Sequence, residues 1–280
     1  MNSANTSDLI TPATYIHPDK LANFLYDKKP YCLFLDIDGT LAEFTVDPKD
    51  SFIPKSTLDL IQALQDYGVK VGVVTGRSLN EAKQMLSPLE VPIAATHGLQ
   101  LSWLNGNMVD INLAQLSQIK ETVTHYCLPH PDLYIENKPY SCALHYRKNP
   151  TLADISYDLI SKAIENFDSW SLKQGKYVWE AIPKSVNKGS AILDLLQHIS
   201  HSEPLCPIFI GDDITDEAGF AEVQNVSIAL DSDCKSAKLL TGMGIKVGNE
   251  ATCANYYVQD IDEVRDILHS FLKIAMSDSV

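Results

Sequence analysis

Two aspartates one residue apart follow the first strongly apolar run of the chain. Tyr31 to Leu35 predicts a strand buried on both faces, and Asp36 and Asp38 come directly after it. Open parallel sheets place their ligand sites outside the carboxyl ends of the strands. Two carboxylates about 4 Å apart repel by about 4 kcal/mol at an effective dielectric of about 20. A Mg²⁺ ion held by carboxylates, water and a substrate phosphate would offset that repulsion. The alternative interpretation is that the two aspartates lie in a turn and are solvated.

Three later stretches place polar side chains in the same setting, at the end of an apolar strand or the start of a helix. They are Thr75-Gly76-Arg77, Lys188, and the group Asp212, Asp213 and Asp216. Because the carboxyl ends of parallel strands meet at one edge of a sheet, the four stretches together predict a site for phosphoryl transfer.

Each residue type has a role in that chemistry. Asp36 can attack phosphorus as a carboxylate nucleophile, and Asp38 can protonate the leaving alkoxide and then take a proton from water. Thr75 and the backbone N–H groups that follow it, including that of Gly76, can hold phosphoryl oxygens. Lys188 can neutralise the charge on the nucleophile and on those oxygens.

The predicted metal ligands are Asp36, Asp38, Asp212 and Asp213. Asp212 completes the set, with Asp213 or Asp216 as a further ligand or as a partner behind the ligands. The acid-rich stretch could instead only favour a helix N-terminus, and Lys188 taken alone could be a solvated lysine at the start of a helix. The ordered set of stretches favours the metal site.

The composition limits the function classes. The chain has 280 residues, enough for one large domain or two moderate ones, and its 45% hydrophobic and 21% charged residues are ordinary for a globular protein. Lys and Arg total 22 against 36 Asp and Glu, a formal net charge of −14, which argues against nucleic acid or an anionic membrane as a partner. A phosphate site must therefore supply its own positive charge.

The six cysteines are scattered without a C-x-x-C pair, so reduced thiols in a cytoplasmic protein are the simplest interpretation. The N-terminal stretch shows no signal peptide, and no apolar run reaches the roughly 18 residues of a membrane span. We therefore expect a cytoplasmic protein, with a monomer favoured, that acts on a small molecule.

Elements that alternate between strand and helix are predicted to position the site. Strands at 31–35, 69–75 and 91–96, with helices between them, indicate a right-handed parallel sheet. Residues 112–182 then read as helix, two strands, helix and two strands, which is typical of an α+β unit with an antiparallel sheet. The first pattern resumes near Lys188.

The fold class predicted is therefore α/β, with a parallel-sheet core and an inserted α+β domain. The predicted domains are a core of residues 1–110 and 185–280 and an insertion of residues 111–184. Residues 1–17 are expected to be a loose lead-in, and residues 231–244 an exposed loop or an extra helical turn. A short helix is predicted at 18–26 and a further strand at 226–230.

The ordered motifs resemble those of the haloacid-dehalogenase superfamily of phosphohydrolases. They are Asp36-Ile37-Asp38-Gly39-Thr40, Thr75, Lys188 and Gly211-Asp212-Asp213. More narrowly, the chain resembles the trehalose-6-phosphate phosphatase family. That narrower likeness is carried by Thr75 to Ser78, His97-Gly98, Glu136 to Lys138, His145 to Arg147, Lys176 to Glu180, Lys184 to Gly189 and Ile210 to Glu217.

The resemblance implies a Rossmann-like core, a cap inserted between the second and third motifs, and Mg²⁺-dependent hydrolysis of trehalose 6-phosphate through an aspartyl-phosphate on Asp36. By motif, Glu136, Lys138, Arg147 and Glu180 would bind trehalose hydroxyls or help to hold the phosphate. Arg77 and His97 would line the core side, and Gly76 and Asp216 complete the expected substrate contacts.

Three alternatives remain open at the level of sequence. Glu136, Lys138 and Arg147 could simply pair across an exposed hairpin. The substrate could be another sugar phosphate, such as sucrose phosphate. The chain could also be a catalytically silent subunit that binds a sugar phosphate and regulates a synthase, although the presence of both Asp36 and Asp38 disfavours this.

Overall fold

The computed structural model describes residues 12–25, 30–45, 50–104, 112–175, 177–184, 186–200, 205–229 and 239–278. The chain divides into two compact units. The core unit comprises Met1–Asn107 and Asn187–Val280, and the inserted unit comprises Met108–Val186. The predicted insertion, residues 111–184, lies within the second range.

The described strands, in chain order, are β1 (Thr14–Tyr15), β2 (Tyr31–Leu35), β3 (Lys70–Val74), β4 (Ile93–Ala95), β5 (Gln100–Leu101), β6 (Tyr134–Asn137), β7 (Cys142–His145), β8 (Trp170–Gly175), β9 (Val178–Pro183), β10 (Cys206–Gly211), β11 (Ser227–Ala229), β12 (Leu239–Thr241), β13 (Met243–Val247) and β14 (Tyr256–Val258).

The described α-helices are α1 (Lys55–Asp66), α2 (Leu79–Leu86), α3 (Leu113–Cys127), α4 (Ala153–Ile164), α5 (Lys188–Ile199), α6 (Glu217–Asn225) and α7 (Ile261–Asp278). No helix among the described residues is long and apolar enough to cross a lipid bilayer.

One sheet organises the core unit. Its strands lie in the order β1-β14-β13-β10-β2-β3-β4-β5, and the pairs are parallel except for β4 with β5, which is antiparallel. The α/β fold class with a parallel core is confirmed. The neighbouring positions of β2 and β10 bring the two acidic motifs, which are about 170 residues apart in the chain, to the same edge of the sheet.

Helices cover both faces of this sheet, which explains why its central strands are apolar at consecutive positions. Leu33 and Leu35 of β2 belong to a core cluster with α1, α2 and α7, whereas Cys32 and Phe34 belong to a second cluster with α5 and α6. Successive side chains of a strand point to opposite faces, so a doubly covered strand must be apolar throughout. Both faces of the core sheet stabilise the fold, because each buries apolar side-chain surface under its helices.

The inserted unit has an antiparallel sheet in the order β6-β7-β9-β8, as the helix and strand pattern predicts. Cys142 and Leu144 of β7 pack with α3 and α4 on one face of the sheet. Side-chain alternation sends Glu136, His145 and Glu180 to the other face, because the register pairs Glu136 with Ala143 and Ala143 with Glu180. The unit therefore has one apolar face and one polar face.

Several local predictions are wrong. Part of the expected lead-in, Thr14–Tyr15, is the edge strand β1, which pairs with β14. The strand predicted at 226–230 is present as β11, Ser227–Ala229, but it pairs with β12 in a separate antiparallel ribbon and not with the core sheet. The segment 231–244, predicted as a loop or helical turn, contains β12 and the start of β13; its residues 231–238 lie outside the described part of the chain.

The incorrect secondary-structure predictions share a physical cause. β1 and β12 are two and three residues long, too short to show a hydrophobic period, and β1 exists only through its pairing with β14 near the other end of the chain. The predicted helix at 18–26 is a 3₁₀-helix over Pro18–Asn23, and Tyr26 lies outside the described residues.

Candidate active site

The register of β2 and β10 places Asp36 beside the end of β10. Leu35 is paired with Ile210, and the Asp36 amide donates to the Ile210 carbonyl at 3.0 Å. The ladder thus extends one residue beyond each apolar run and holds the Asp36 backbone in place. Its side chain is 4% exposed, so the carboxylate is buried and is not solvated in a turn.

Lys188 reaches this carboxylate from the first turn of α5. Asn187 caps the helix by accepting from the Ser190 amide, which fixes where the helix starts and therefore where Lys188 lies. The Lys188 Nζ is 3.0 Å from Asp36 Oδ1 and 2.6 Å from Asp216 Oδ1. At 3% exposure, Lys188 is not the solvated lysine of the alternative interpretation.

Asp36, Asp212 and Asp216 form an acidic group in which one carboxylate oxygen of each lies within 4.8 Å of the others. Lys188 is in ion-pair contact with two of the three, so the group keeps an excess of negative charge. Oδ1 of Asp212 is also buried without a hydrogen-bond partner among the described residues. A hard divalent cation fits this donor set, because Mg²⁺ prefers carboxylate oxygens and an ion would satisfy the orphaned atom.

The pKa values of the group reflect burial and mutual repulsion. Burial raises the pKa of Asp36 well above its usual value, Lys188 opposes this rise, and Asp216 adds to it. Burial also raises the pKa of Asp212 to about 6, with Asp216 adding repulsion. For Lys188, burial disfavours the ammonium form, but Asp36 and Asp216 outweigh burial and raise the pKa. Lys188 is therefore charged at every pH at which the protein would act.

Two glycines permit the close approach of the acidic side chains. Gly39 has φ +80°, and a Cβ built there would lie 2.0 Å from Asp212 Oδ2. A Cβ on Gly211 would lie 2.4 Å from the Cγ of Asp216. Any larger residue would displace a carboxylate of the acidic group, so both glycines are requirements of the site.

Asp38 lies against Arg77 and not in the acidic group. Arg77 Nε donates to Asp38 Oδ2 at 2.7 Å and Arg77 Nη2 donates to Asp38 Oδ1 at 2.6 Å, a bidentate pair. Ser51 Oγ, which sequence reasoning missed, also approaches Asp38 Oδ1 at 3.4 Å. The metal-ligand prediction for the Asp38 side chain is therefore not reproduced by the geometry, whereas a carboxylate oriented by Arg77 remains suited to moving a proton.

Thr75, Gly76 and His97 are brought together at the ends of β3 and β4. The Thr75 hydroxyl accepts from the Arg77 amide at 3.2 Å, and the His97 amide donates to the Thr75 carbonyl at 2.9 Å. The His97 ring lies over Gly76, where an added Cβ would be 2.8 Å from Cε1. His97 itself adopts the left-handed region with φ 58°. The lack of a side chain at Gly76 is thus what lets the His97 ring pack against the turn after β3.

The geometry distinguishes Asp213 from Asp216, either of which was expected as a further ligand or as a partner behind the ligands. Asp213, predicted as a metal ligand, is exposed, and its Oδ1 accepts from the Thr215 amide as a cap. Asp216, predicted as a substrate contact, is 0% exposed and accepts from Lys188 and from the Asp213 amide at 2.9 Å. Geometry therefore places Asp216 in the acidic group and Asp213 at its rim, which the three-residue spacing of a capping box accounts for.

In the inserted unit, the predicted sugar-binding residues are mostly paired with one another. Glu136 Oε2 is 2.9 Å from His145 Nε2, and Lys138 Nζ is 3.1 Å from Glu180 Oε1. Ser141, which was not predicted, also donates to Glu180. Arg147 is exposed at the end of β7. The Glu136–His145 contact lies across the β6–β7 hairpin, as the hairpin alternative expects, whereas Lys138 pairs with Glu180 of β9.

The sequence pattern of the family described as Trehalose-phosphatase matches residues 34–262. The trehalose-6-phosphate phosphatase of Escherichia coli (strain K12) is 30% identical over 237 residues, which cover 84% of each chain. A solved structure described as a trehalose-6-phosphate phosphatase related protein superposes with a TM-score of 0.64 at 26% identity, covering 88% of this chain and 99% of the other.

The same fold also occurs in a protein that is named as regulatory. The C-terminal domain of the Candida albicans trehalose synthase regulatory protein has the same fold, with a TM-score of 0.63 at 13% identity, and it covers 91% of this chain and 99% of its own.

The family match and the Escherichia coli relative make the chain a phosphatase, and the parallel sheet with its inserted antiparallel unit is the fold that carries the buried lysine–aspartate group. Within that class, the chain belongs to the trehalose-phosphatase family and is a phosphomonoester hydrolase.

Proposed function

We propose that the protein hydrolyses trehalose 6-phosphate to trehalose and phosphate, with Mg²⁺ as cofactor and an aspartyl-phosphate on Asp36 as intermediate. The observation that carries the proposal is the contact of Lys188 with both Asp36 and Asp216 at the carboxyl edge of the parallel sheet. Membership of the trehalose-phosphatase family supports the substrate, since the Escherichia coli relative is named as acting on it.

In the first step, a carboxylate oxygen of Asp36 attacks phosphorus, the P–O bond to the sugar breaks, and the sugar oxygen leaves with the bonding electrons. Asp38, in its protonated form, donates the proton that this alkoxide needs. The bidentate contact with Arg77 fixes the direction in which Asp38 presents its carboxyl group. The contact also stabilises the carboxylate that remains after the proton has left.

In the second step, Asp38 accepts a proton from water as the water oxygen attacks the aspartyl-phosphate. The acyl–phosphate bond breaks, and Asp36 is regenerated as a carboxylate with release of phosphate. Lys188 stabilises charge at the nucleophile throughout both steps because it is held against Asp36 at 3.0 Å. Thr75 and the backbone N–H of Gly76 would bind phosphoryl oxygens.

Asp36 and Asp212 would hold the Mg²⁺ ion, with Asp216 adjacent to them. When bound, the ion supplies positive charge that lowers the repulsion between the carboxylates and the phosphate. The polar face of the inserted unit, with Glu136, Lys138 and Glu180, would bind the sugar hydroxyls, and Arg147 would assist there.

The proposal is tested by phosphate release from trehalose 6-phosphate, sucrose 6-phosphate, glucose 6-phosphate and p-nitrophenyl phosphate, each with Mg²⁺ and with EDTA. We expect Mg²⁺-dependent release that is fastest from trehalose 6-phosphate. Faster release from sucrose 6-phosphate would favour the other sugar phosphate, and binding of trehalose 6-phosphate without release would favour the silent regulatory subunit.

A further inference from the structure

A second buried lysine lies near the acidic group and has no place in the proposed chemistry. Lys246 is the one charged residue of the otherwise apolar strand β13, and it is only 5% exposed. The register of β13 with β10 sets Lys246 beside Gly211, the residue immediately before Asp212. The Lys246 backbone therefore lies beside the last residue of β10, and the proposed cation ligand Asp212 is the next residue after that strand.

The direction of the Lys246 side chain follows from its neighbours. Gly211 and Lys246 are paired across the sheet and so point to the same face. On that face, a Cβ at Gly211 would meet Asp216, and a Cβ at Gly244, two residues before Lys246, would meet Phe220 of α6. The Lys246 side chain therefore leaves the sheet on the side of Asp216 and α6.

The loop after β13 is tied to the same helix. The Cys253 amide donates to Glu217 Oε2 at 2.7 Å, and Gln224 Nε2 donates to the Cys253 carbonyl at 2.9 Å. With α6 and this loop fixed to each other beside β13, Lys246 is withdrawn from bulk water.

No hydrogen bond or ion pair within 4.0 Å holds the Lys246 ammonium among the described residues, although Asp212 is close enough for the two charges to interact. The side chain is largely buried, but its nitrogen is not one of the fully buried polar atoms that lack a partner among these residues. An ammonium without a direct partner at the edge of the interior is favoured where a field of opposite charge surrounds it. The acidic group supplies such a field, because its carboxylates outnumber the single ammonium of Lys188 in contact with them.

We propose that Lys246 is a positioning residue of the cation site, whose ammonium balances the acidic group from the β13 side and limits how tightly the site holds a divalent cation. The inference rests on the cation site of the proposed function. Lys188 contacts the nucleophile, whereas Lys246 acts at longer range on Asp212. Its removal therefore changes the affinity for the cation and leaves the nucleophile in place.

The test is isothermal calorimetry of Mg²⁺ binding to the full chain at pH 8, a pH at which Asp212 is ionised, without substrate. Lys246→Met keeps the length of the side chain and removes the charge. We expect it to bind Mg²⁺ at least about fivefold more tightly than the wild type, because repulsion between like charges is lost. Raising the salt concentration should reduce this difference.

Two variants serve as matched controls. Lys246→Arg keeps the charge and should stay within about twofold of the wild-type affinity. Lys70→Met removes the same charge from an exposed position at the opposite end of β3 and should also leave the affinity unchanged. If Lys246→Met does not fold, Lys246→Gln replaces it with the same expectation.

Equal or weaker Mg²⁺ binding by the neutral variants would overturn the inference and would leave the proposed function intact. A wild-type chain that binds no Mg²⁺ would overturn the cation site itself and this inference with it. The two failures are therefore distinguishable in one set of titrations.

Discussion

Asp36 is a carboxyl group that the fold makes costly to ionise. Burial raises its pKa, and Lys188 is the group in contact that favours the charged form. Asp36 must nevertheless be ionised to act as a nucleophile. Burial of this carboxylate therefore lowers the free energy of unfolding, and the same burial makes the group reactive.

Asp36→Asn should therefore abolish turnover without unfolding the protein. We expect kcat to fall by at least about 10³-fold, because the amide cannot form an acyl phosphate. The melting temperature of the metal-free protein at pH 7 should stay equal or rise, since a neutral group replaces a buried charge. Phosphate release and thermal unfolding measure the two effects, and normal turnover by the variant would rule out Asp36 as nucleophile.

The raised pKa of Asp212 gives the cation site a defined pH dependence. Its pKa of about 6 lies above the ordinary value of 3.8, so the folded metal-free protein binds more protons than the unfolded chain between these pH values. The contribution of Asp212 therefore makes the metal-free protein more stable as the pH falls from 7 through 6. Cation binding has the opposite dependence, because it requires the carboxylate.

We accordingly expect Mg²⁺ to raise the melting temperature more at pH 7.5 than at pH 5. Differential scanning fluorimetry with Mg²⁺ and with EDTA across this range measures the effect. Asp212→Asn should remove both the Mg²⁺ stabilisation and its pH dependence. A stabilisation by Mg²⁺ that is the same at both pH values would contradict the assignment.

At the scale of elements, the turn after β2 is fitted to the end of β10. Gly39 and Gly68 both lie at positive φ, with values of +80° and +84°. A Cβ on Gly39 would meet Asp212 at 2.0 Å, whereas a Cβ on Gly68 would meet nothing within 4 Å. Substitutions at the two glycines therefore distinguish the cost of backbone strain from the effect of displacing Asp212.

Gly68→Ala should cost only the strain of a left-handed residue, about 1–2 kcal/mol of unfolding free energy, and should keep full activity. Gly39→Ala carries the same strain and also displaces Asp212, so Mg²⁺ binding and phosphate release should both be lost. Chemical denaturation and calorimetry test the pair. Equal activity of the two variants would mean that the approach of Gly39 to Asp212 is not required.

Sequence reasoning predicted the long elements because each carries its own signal. Helices α1 and α5 have helical apolar spacing and recognisable ends, and β2 and β3 have apolar runs followed by polar turns. The grouping of Asp36 with Asp212 followed from the parallel sheet, since strand ends meet at one edge, whereas Lys188, at the start of a helix, was assigned to the site by the ordered set of motifs.

What the sequence could not provide was the partner of each acidic side chain. Asp38, Asp213 and Asp216 are all aspartates beside strand ends, yet one pairs with Arg77, one caps a turn and one is fully buried. These differences depend on rotamers and on long-range packing, which leave no local pattern. Lys246 did leave a signal, a single charge within an apolar strand, which alone is too weak to suggest a function.

In the whole molecule, we expect the core unit to carry out the phosphoryl transfer and the inserted unit to determine the sugar specificity. The inserted unit has its own core, built from α3, α4 and the antiparallel sheet. Its polar face should therefore tolerate substitution without loss of the chemistry in the core unit.

Arg147→Ala should lower kcat/KM for trehalose 6-phosphate by roughly 10- to 100-fold, the effect of losing a charged hydrogen bond, and should spare p-nitrophenyl phosphate. Lys148→Ala removes the same charge at the adjacent exposed residue and serves as the control. Steady-state kinetics on both substrates measures the ratio. Equal losses on the two substrates would show that Arg147 does not select the sugar.

The central claim is that the phosphoryl group passes through Asp36, and chemical trapping tests it most directly. Acid quenching during turnover of trehalose 6-phosphate, followed by borohydride, reduces an acyl phosphate to an alcohol and leaves free carboxylates unchanged. Peptide mass analysis then locates the reduced residue. We predict homoserine at position 36 only when substrate and Mg²⁺ are both present; turnover with an unmodified Asp36, or with reduction at another aspartate, would contradict the account.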